Sequence, residues 1–532
     1  MATVQQFRSA TERIISKNKG SLTGKDAWRQ NLNLASLAAF KIGSCLGPNG
    51  AYKLVTYNRG PQMVMKVTKD ALDIVDELGV QYPAIKTLAE AAKIQREHVG
   101  DGVSTMLVLT SALLAEADKL IEMGFHPHTI LEGYHEATEK STAAIDQLSK
   151  NLDEDLEVQL LETIDCGRGL LTEPLRRALS EAVPRITDDG NVDVNRVRIF
   201  RKPGGQTGDS ELVRGVIIKK GRVHPSMPDH VDAPRIALIG KMVIKPLELK
   251  MKGEGAFPIQ LNITNREQIQ TFKAEENRTR GRVAERIRSL GANVLICPTG
   301  IDAKISDHLS RQGVFALQMV DHEEFQAVAK ATGATVVGEV DGLEKKDLGQ
   351  GTRLQVDRIG ADESTFLYCD KGATLMLRGS SPELVHELEK ITKKALLILK
   401  HVRSNPKVIP GGGAIFVELA LRLRAHALTF SGREQFVINS FADALERIPE
   451  SLSANNGLDS IDTLMQLRSH HSNGKVAMGV GDQGCTDLLE AKLVELASVN
   501  KATLRRAYEV TALLLRIDGC IYVKDLPRFH KQ

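Results

Sequence analysis

Apolar positions recur at helical spacing across the first 150 residues. Leu34, Leu37, Ala38 and Ile42 fall on one face of a helix, and Gly47-Pro48-Asn49-Gly50 then breaks the pattern. Further helical stretches are expected after Pro83, from near Val103 and from near His128. The last 120 residues or so read the same way. There, Val510, Leu513, Leu514 and Ile517 make an i, i+3, i+4, i+7 stripe that predicts one buried face.

The middle of the chain has another rhythm. Ile236–Ile239, Val294–Cys297, Ala334–Val340 and Thr374–Leu377 are short apolar or β-branched runs, with charged helical segments such as Gln268–Leu290 between them. Strand–helix alternation of this kind predicts an α/β unit. The chain therefore reads as helix-rich ends around a mixed α/β centre. This pattern permits one discontinuous helical domain with the centre inserted into it. Lys202–Gly208 and Pro406–Gly413 concentrate Gly and Pro and are expected as hinges or boundaries. No solenoid repeat or low-complexity tract interrupts the chain.

Composition narrows the class. A length of 532 residues suggests about three domains. With 42% apolar and 26% charged residues, the chain is neither disordered nor a small disulfide scaffold. Aromatic residues are only 4%, with Trp28 the single tryptophan, so cores must be aliphatic and stacking platforms for single-stranded nucleic acid are disfavoured. The net charge of +3 demands no anionic partner, so no specific nucleic acid is expected. Cys45, Cys166, Cys297, Cys369, Cys485 and Cys520 form no CxxC pair, which reads as reduced thiols rather than a zinc site. Met1–Lys17 is polar, without the apolar core of a signal peptide. No apolar run approaches membrane-spanning length, so no membrane association and a cytoplasmic location are expected.

Three glycine-rich turns each stand next to a helix. In Gly100-Asp101-Gly102-Val103-Ser104-Thr105 the glycines permit close backbone approach, and a following helix offers free N–H groups to phosphate. Asp101 has the chemistry to hold Mg²⁺, and Ser104 and Thr105 to donate hydroxyls. An Asp-Gly turn that merely begins a helix is the competing reading. Gly47–Gly50 and Gly411-Gly412-Gly413, the latter ahead of Ala414–Leu423, are similar, with a plain β-turn and a flexible linker as their respective alternatives. No Walker A lysine motif and no Ser-His-Asp signature is present. His126, His128 and His135 have no converging carboxylates in sequence, and structural roles are expected for them.

Taken in order, these segments make the chain resemble a divergent group II chaperonin subunit, of the kind found in the archaeal thermosome and the eukaryotic cytosolic ring chaperonin. Leu46-Gly47-Pro48-Asn49-Gly50 is similar to the family's LGPKG, Val80–Ala84 to IQHPA, and Val99–Thr105 to VGDGTTT. His126-Pro127 with Ile130–Tyr134 resembles HPxxIIxGY. Ile409–Ala414 resembles VPGGGA, and Phe441–Glu446 with Ile448-Pro449 resembles FADALExIP. Asn456–Asp459 with Ile461–Leu464 resembles AGLDPIDTL, and Leu515–Asp518 resembles LRIDD.

The resemblance implies a multidomain α and α/β fold. A helical equatorial domain would use residues 1–142 and 404–532, and an intermediate hinge domain residues 143–210 and 363–403. An α/β apical domain with a helical lid protrusion would use residues 211–362. It implies an ATP-dependent chaperone assisting protein folding inside a double ring, homo- or hetero-oligomeric with paralogous subunits, that captures non-native polypeptides. ATP and Mg²⁺ are the implied cofactors. Leu46, Gly47 and Pro48 would lie beside the nucleotide. Asp101 would bind Mg²⁺, with Gly102, Val103, Ser104 and Thr105 around the phosphates. Gly412 would meet the nucleoside and Glu495 the ribose. Thr68-Lys69-Asp70-Ala71 stands at the family's TNDG, where Asp70 would help position the attacking water, and Ala71 and Asp73 replace a glycine and a threonine.

One departure bears on catalysis. The family's catalytic aspartate, in a DDAL context before VPGGGA, aligns with Lys394 in Lys393-Lys394-Ala395-Leu396, and no Asp or Glu occurs between Ile391 and Asn405. An ammonium cannot act as a base toward water, although it can pair with phosphate. Either hydrolysis is slow or Asp70 or Asp73 takes the role. The rival readings are thus a hydrolysis-deficient subunit of a mixed ring and a scaffolding assembly. The segment Asp525–Gln532, with Pro527, Phe529 and His530, does not resemble the Gly–Met tail common in related rings. Lys241–Leu290, over the region resembling the lid, carries 11 basic against 6 acidic residues.

Overall fold

The structure is a computed structural model that describes residues 21–23, 35, 41–59, 62–78, 83–152, 160–161, 170–185, 187–188, 191–194, 197–241, 266–359, 362–517 and 519–521. The chain divides into two units. One comprises residues 1–169 together with 393–532, and the other residues 170–392.

The first unit is helical, and the reason lies in its apolar spacing. Helices α1 (Ala71–Leu78), α2 (Pro83–Val99), α3 (Val103–Glu122) and α4 (Pro127–Leu148) come from the N-terminal part. The C-terminal part adds the end of α5 (Pro382–Ser404), then α6 (Ala414–Ala427), α7 (Glu434–Asn455) and α8 (Ala497–Leu515). Thirteen of the 20 residues of α3 are buried, on all sides of the helix. A helix that is apolar all round must be central, and α3 packs against both α7 and α8. Pro127 starts α4 where its missing N–H costs nothing, and the His126 ring accepts from the His128 N–H at 3.2 Å. The His135 ring packs at a tilt against Tyr508, with ring centroids 5.6 Å apart. Buried Tyr134 donates to the Leu113 carbonyl at 3.1 Å and meets Phe441 edge-on, tying α4 to α3 and α7.

Small antiparallel sheets flank these helices. Strands β1 (Lys53–Arg59) and β2 (Gln62–Thr68) form a hairpin, with Leu54 opposite Val67. Strand β3 (Lys407–Pro410) pairs with β4 (Val494–Leu496), which sets Ile409 opposite Glu495. Ser21–Thr23 and Gly519–Ile521, from opposite ends of the chain, also pair antiparallel.

The second unit is α/β. Arg235–Ile239 lies in a parallel sheet between Val294–Ile296 and Val336–Val337, and Phe315–Leu317 extends it on the Val294–Ile296 side. The core strands are apolar without alternation because both faces are covered. An antiparallel sheet runs in the order His230–Asp232, Arg353–Ile359, Asp362–Tyr368, Gly215–Ile218. Val197–Pro203 pairs parallel with Ala373–Gly379.

The structure corrects the sequence expectations in two places. Leu513 is 51% exposed, because α8 buries the face carrying Leu504, Ala507, Thr511, Leu514 and Leu515. Of the run Ala334–Val340, only Val336–Val337 is strand, and Val340–Gly342 turns into a 3₁₀ helix. Leu34, Leu37 and Ala38 lie outside the described residues, as does the part of the expected lid protrusion at 242–265.

Candidate functional site

The turn at Leu46–Gly50 is held from three sides. Asn455, at the end of α7, donates to the carbonyls of Gly43 and Leu46, each at 2.8 Å. The Lys69 ammonium, almost fully buried, donates to the Pro48 carbonyl at 2.8 Å. Gly47 has φ 79°, and a Cβ there would stand 2.7 Å from Leu452 Cδ2. Leu452 also faces the third glycine turn, since a Cβ on Gly413 would lie 3.4 Å from its Cδ1. One leucine on α7 thus joins the Gly47 and Gly413 turns.

Gly412, at φ 53°, fits only without a side chain. A Cβ would meet Leu488 Cδ1 at 2.5 Å and the Val480 carbonyl at 2.8 Å, and the Gly412 carbonyl accepts from Val480 N–H at 2.9 Å. Beside it the Gly411 N–H donates to the Leu493 carbonyl at 3.0 Å, two residues before Glu495. Glu495 retains partial access to solvent. Burial pushes its carboxyl up, while the Asn500 amide, donating at 2.8 Å, opposes the rise. Asp101 and Lys394 act on Glu495 with opposite signs, which puts all three in one electrostatic neighbourhood.

The Gly100–Thr105 segment forms the turn into α3. Gly102 takes a left-handed conformation at φ 77°, and a Cβ there would stand 2.4 Å from Thr503 Oγ1 on α8. No side chain caps the α3 N-terminus, which leaves its first-turn N–H groups without a side-chain acceptor. Val103 is buried, and Ser104 and Thr105 are half-buried on that first turn. Gln95 donates to the Asp101 carbonyl at 3.0 Å. Asp101 Oδ1 accepts the Gly102 N–H at 2.7 Å and lies 2.9 Å from Lys394 Nζ.

Asp70 stands at the start of α1 and is tied to α2. Its Oδ1 accepts the Leu72 N–H at 2.9 Å, capping α1, and pairs with Arg96 near the end of α2. The Arg96 carbonyl in turn accepts the Gly100 N–H at 3.0 Å. Asp73 is 3.0 Å from Lys66 and accepts from Thr68 at 3.1 Å. The residues singled out for nucleotide and Mg²⁺ therefore all lie in the first unit, and each of the three carboxylates, Asp70, Asp73 and Asp101, is paired with a cation.

A divalent ion such as Mg²⁺ demands about six oxygen ligands and is usually held by one or two carboxylates plus phosphates. Among the described residues no group of three or more His, Cys, Asp or Glu could hold a metal. Asp101 offers one carboxylate, whose Oδ1 is already taken by the Gly102 N–H and the Lys394 ammonium, so an ion there would use Oδ2 beside a cation.

The TCP-1/cpn60 chaperonin family model matches residues 39–525. A thermosome subunit of Methanopyrus kandleri is 35% identical over 531 residues, covering 97% of this chain and 95% of the relative. The thermosome β subunit of Methanothermobacter thermautotrophicus is 34% identical, covering 96% and 94%. That of Thermoplasma acidophilum is 33% identical, covering 96% and 95%.

The chain belongs to the TCP-1/cpn60 chaperonin family. It is a chaperonin of group II, and with the family come ATP dependence, assembly into rings and assistance to protein folding. No described helix is long and apolar enough to cross a membrane.

Sequence reasoning missed the residues that hold this chaperonin's turns in place. Lys69, Gln95, Arg96, Leu452, Asn455, Asn500 and Thr503 all touch them. Only Lys69 left a signal, as a lysine inside the segment resembling TNDG.

Proposed function

We propose that the connected turns form the ATP site of this chaperonin subunit, and that the subunit binds ATP but hydrolyses it slowly. Leu46, Gly47 and Pro48 would line one side of the nucleotide. Gly102, Val103, Ser104 and Thr105 would meet the phosphates at the open end of α3, where N–H groups and the helix dipole favour anions. Gly412 would lie against the nucleoside and Glu495 against the ribose. Asp101 stands at the family's Mg²⁺ position, and in this chain its Oδ1 is held by the Lys394 ammonium and the Gly102 N–H.

The observation that carries the slow-hydrolysis reading is the Lys394–Asp101 contact of 2.9 Å. The position where the family resemblance expects a water-activating aspartate holds an ammonium, and that ammonium reaches the expected metal ligand. Asp70 and Asp73 are the carboxylates that could compensate, but each is already engaged by a cation and by hydrogen bonds. Of the two, Asp70 remains the proposed partner of whatever hydrolysis persists.

The equatorial, intermediate and apical division implied by the resemblance belongs to the same proposal, with non-native polypeptides as clients, stacked rings shared with paralogous subunits, and a cytoplasmic location. Steady-state phosphate release by the assembled chain, measured beside equilibrium ATP binding, tests the reading. Tight binding with turnover far below that of Lys394→Asp supports it, and equal turnover of the two overturns it.

A further inference from the structure

Lys394 is delivered to Asp101 by backbone packing. Helix α5 lies so close to the turn before α3 that a Cβ on Gly100 would stand 2.9 Å from Leu397 Cβ and 3.2 Å from the Lys394 carbonyl. The ammonium stem starts from that contact, and both side chains are partly shielded, Lys394 at 23% exposure and Asp101 at 40%. The Asp101 oxygen it reaches is also held by the Gly102 N–H. A metal ion at this carboxylate, on Oδ1 or on Oδ2, would stand close to a tethered cation, and two cations that close repel. Asp70 and Asp73 are paired with Arg96 and Lys66, and the described residues offer no cluster of metal ligands elsewhere.

The same ammonium is chemically suited to a metal's electrostatic work on phosphate. Lysine binds phosphate as a compact point charge, and here it sits beside the uncapped N-terminus of α3. We propose that Lys394 takes the place of the divalent cation at Asp101, so that this subunit binds nucleoside triphosphate with little dependence on Mg²⁺. The inference rests on the nucleotide-site reading and adds to it which cation neutralises the phosphates.

The test is ATP affinity of the full-length chain, in the assembly it forms, measured by calorimetry with Mg²⁺ and again with EDTA. The two dissociation constants should agree within about threefold for the unmodified chain. Lys394→Met keeps the apolar stem and loses the charge, and it should bind at least about tenfold more weakly in EDTA than in Mg²⁺. Lys394→Arg should keep the metal independence. Electron paramagnetic resonance with Mn²⁺ and ATP should show nucleotide-dependent metal binding by Lys394→Met and little by the unmodified chain. Circular dichroism melting identifies a variant that fails to fold, and Lys394→Gln then replaces it. Binding by the unmodified chain that collapses in EDTA, or a Lys394→Met variant as metal-independent as the parent, overturns the inference while leaving the nucleotide site intact. No ATP binding in either condition overturns both.

Discussion

Arg96, near the end of α2, is ion-paired with Asp70, the residue that caps α1. The pair ties the TKDA segment to the last turn of α2, which leads into the turn that carries Asp101. If Asp70 orients the attacking water in this chaperonin, Asp70→Asn should lower the residual turnover about tenfold or more. ATP affinity should change little. Single-turnover phosphate release alongside equilibrium binding checks this, and unchanged release would remove Asp70 from the mechanism. Asp73→Thr should leave turnover unaltered. A loss there would assign the compensating role to Asp73 instead.

Gly412 allows a graded test of close approach. Ala at Gly412 meets Leu488 and the Val480 carbonyl, whereas Ala at Gly457 has the same left-handed backbone, φ 75°, and open space. Gly457→Ala should cost about 1–2 kcal/mol from backbone conformation alone. Gly412→Ala should cost more and weaken ATP binding about tenfold or more. Thermal melts and ATP titration of the two variants separate strain from clash.

The FADALE segment carries an ion network, not chemistry. Buried Glu446 takes both guanidinium groups of Arg424 and Arg468, and Arg424 also reaches Asp443 at 2.7 Å. Burial alone would raise the Glu446 carboxyl, but the hydrogen bonds from Arg424 and Arg468 outweigh it and hold the group below its ordinary value of 4.5. Its stabilising contribution is therefore present above about pH 4.5 and is lost as pH falls through the lower folded value. Glu446→Gln should destabilise the first unit by about 3–5 kcal/mol at neutral pH. The gap between variant and parent melting temperatures should narrow in acid.

Along the chain, what was legible was whatever repeats locally. A helix was expected from near Val103, where α3 begins, and the short runs at Ile236–Ile239 and Val294–Cys297 were expected as strands of an α/β unit, where strands lie. The three glycine turns were visible because their backbone needs, left-handed φ and close approach, exclude other residues. Leu513 misled because apolar spacing alone does not say which neighbours a helix meets, and the partners of α8 chose the adjacent face. The contacts that govern the site were not legible. Lys394 reaching Asp101, Leu452 touching Gly47 and Gly413, and Asn500 holding Glu495 all depend on side-chain reach set by packing. No local pattern encodes them.

The β1–β2 hairpin presents Leu54, Met65 and Val67 at 62%, 67% and 64% exposure. The expectation to test is that this face packs against a neighbouring subunit of the ring. Leu54→Lys with Val67→Glu should shift sedimentation from ring to smaller species without loss of helical signal. A ring of unchanged stability would show that the hairpin serves something else.

The slow-hydrolysis reading is tested most directly by steady-state phosphate release from the assembled, unmodified chain with saturating ATP and Mg²⁺, compared with Lys394→Asp. Loss of a general base is worth about a hundredfold to ten-thousandfold in rate. The unmodified chain should turn over far more slowly than Lys394→Asp while binding ATP. Brisk turnover by the unmodified chain, unchanged or lowered in Lys394→Asp, would contradict slow hydrolysis.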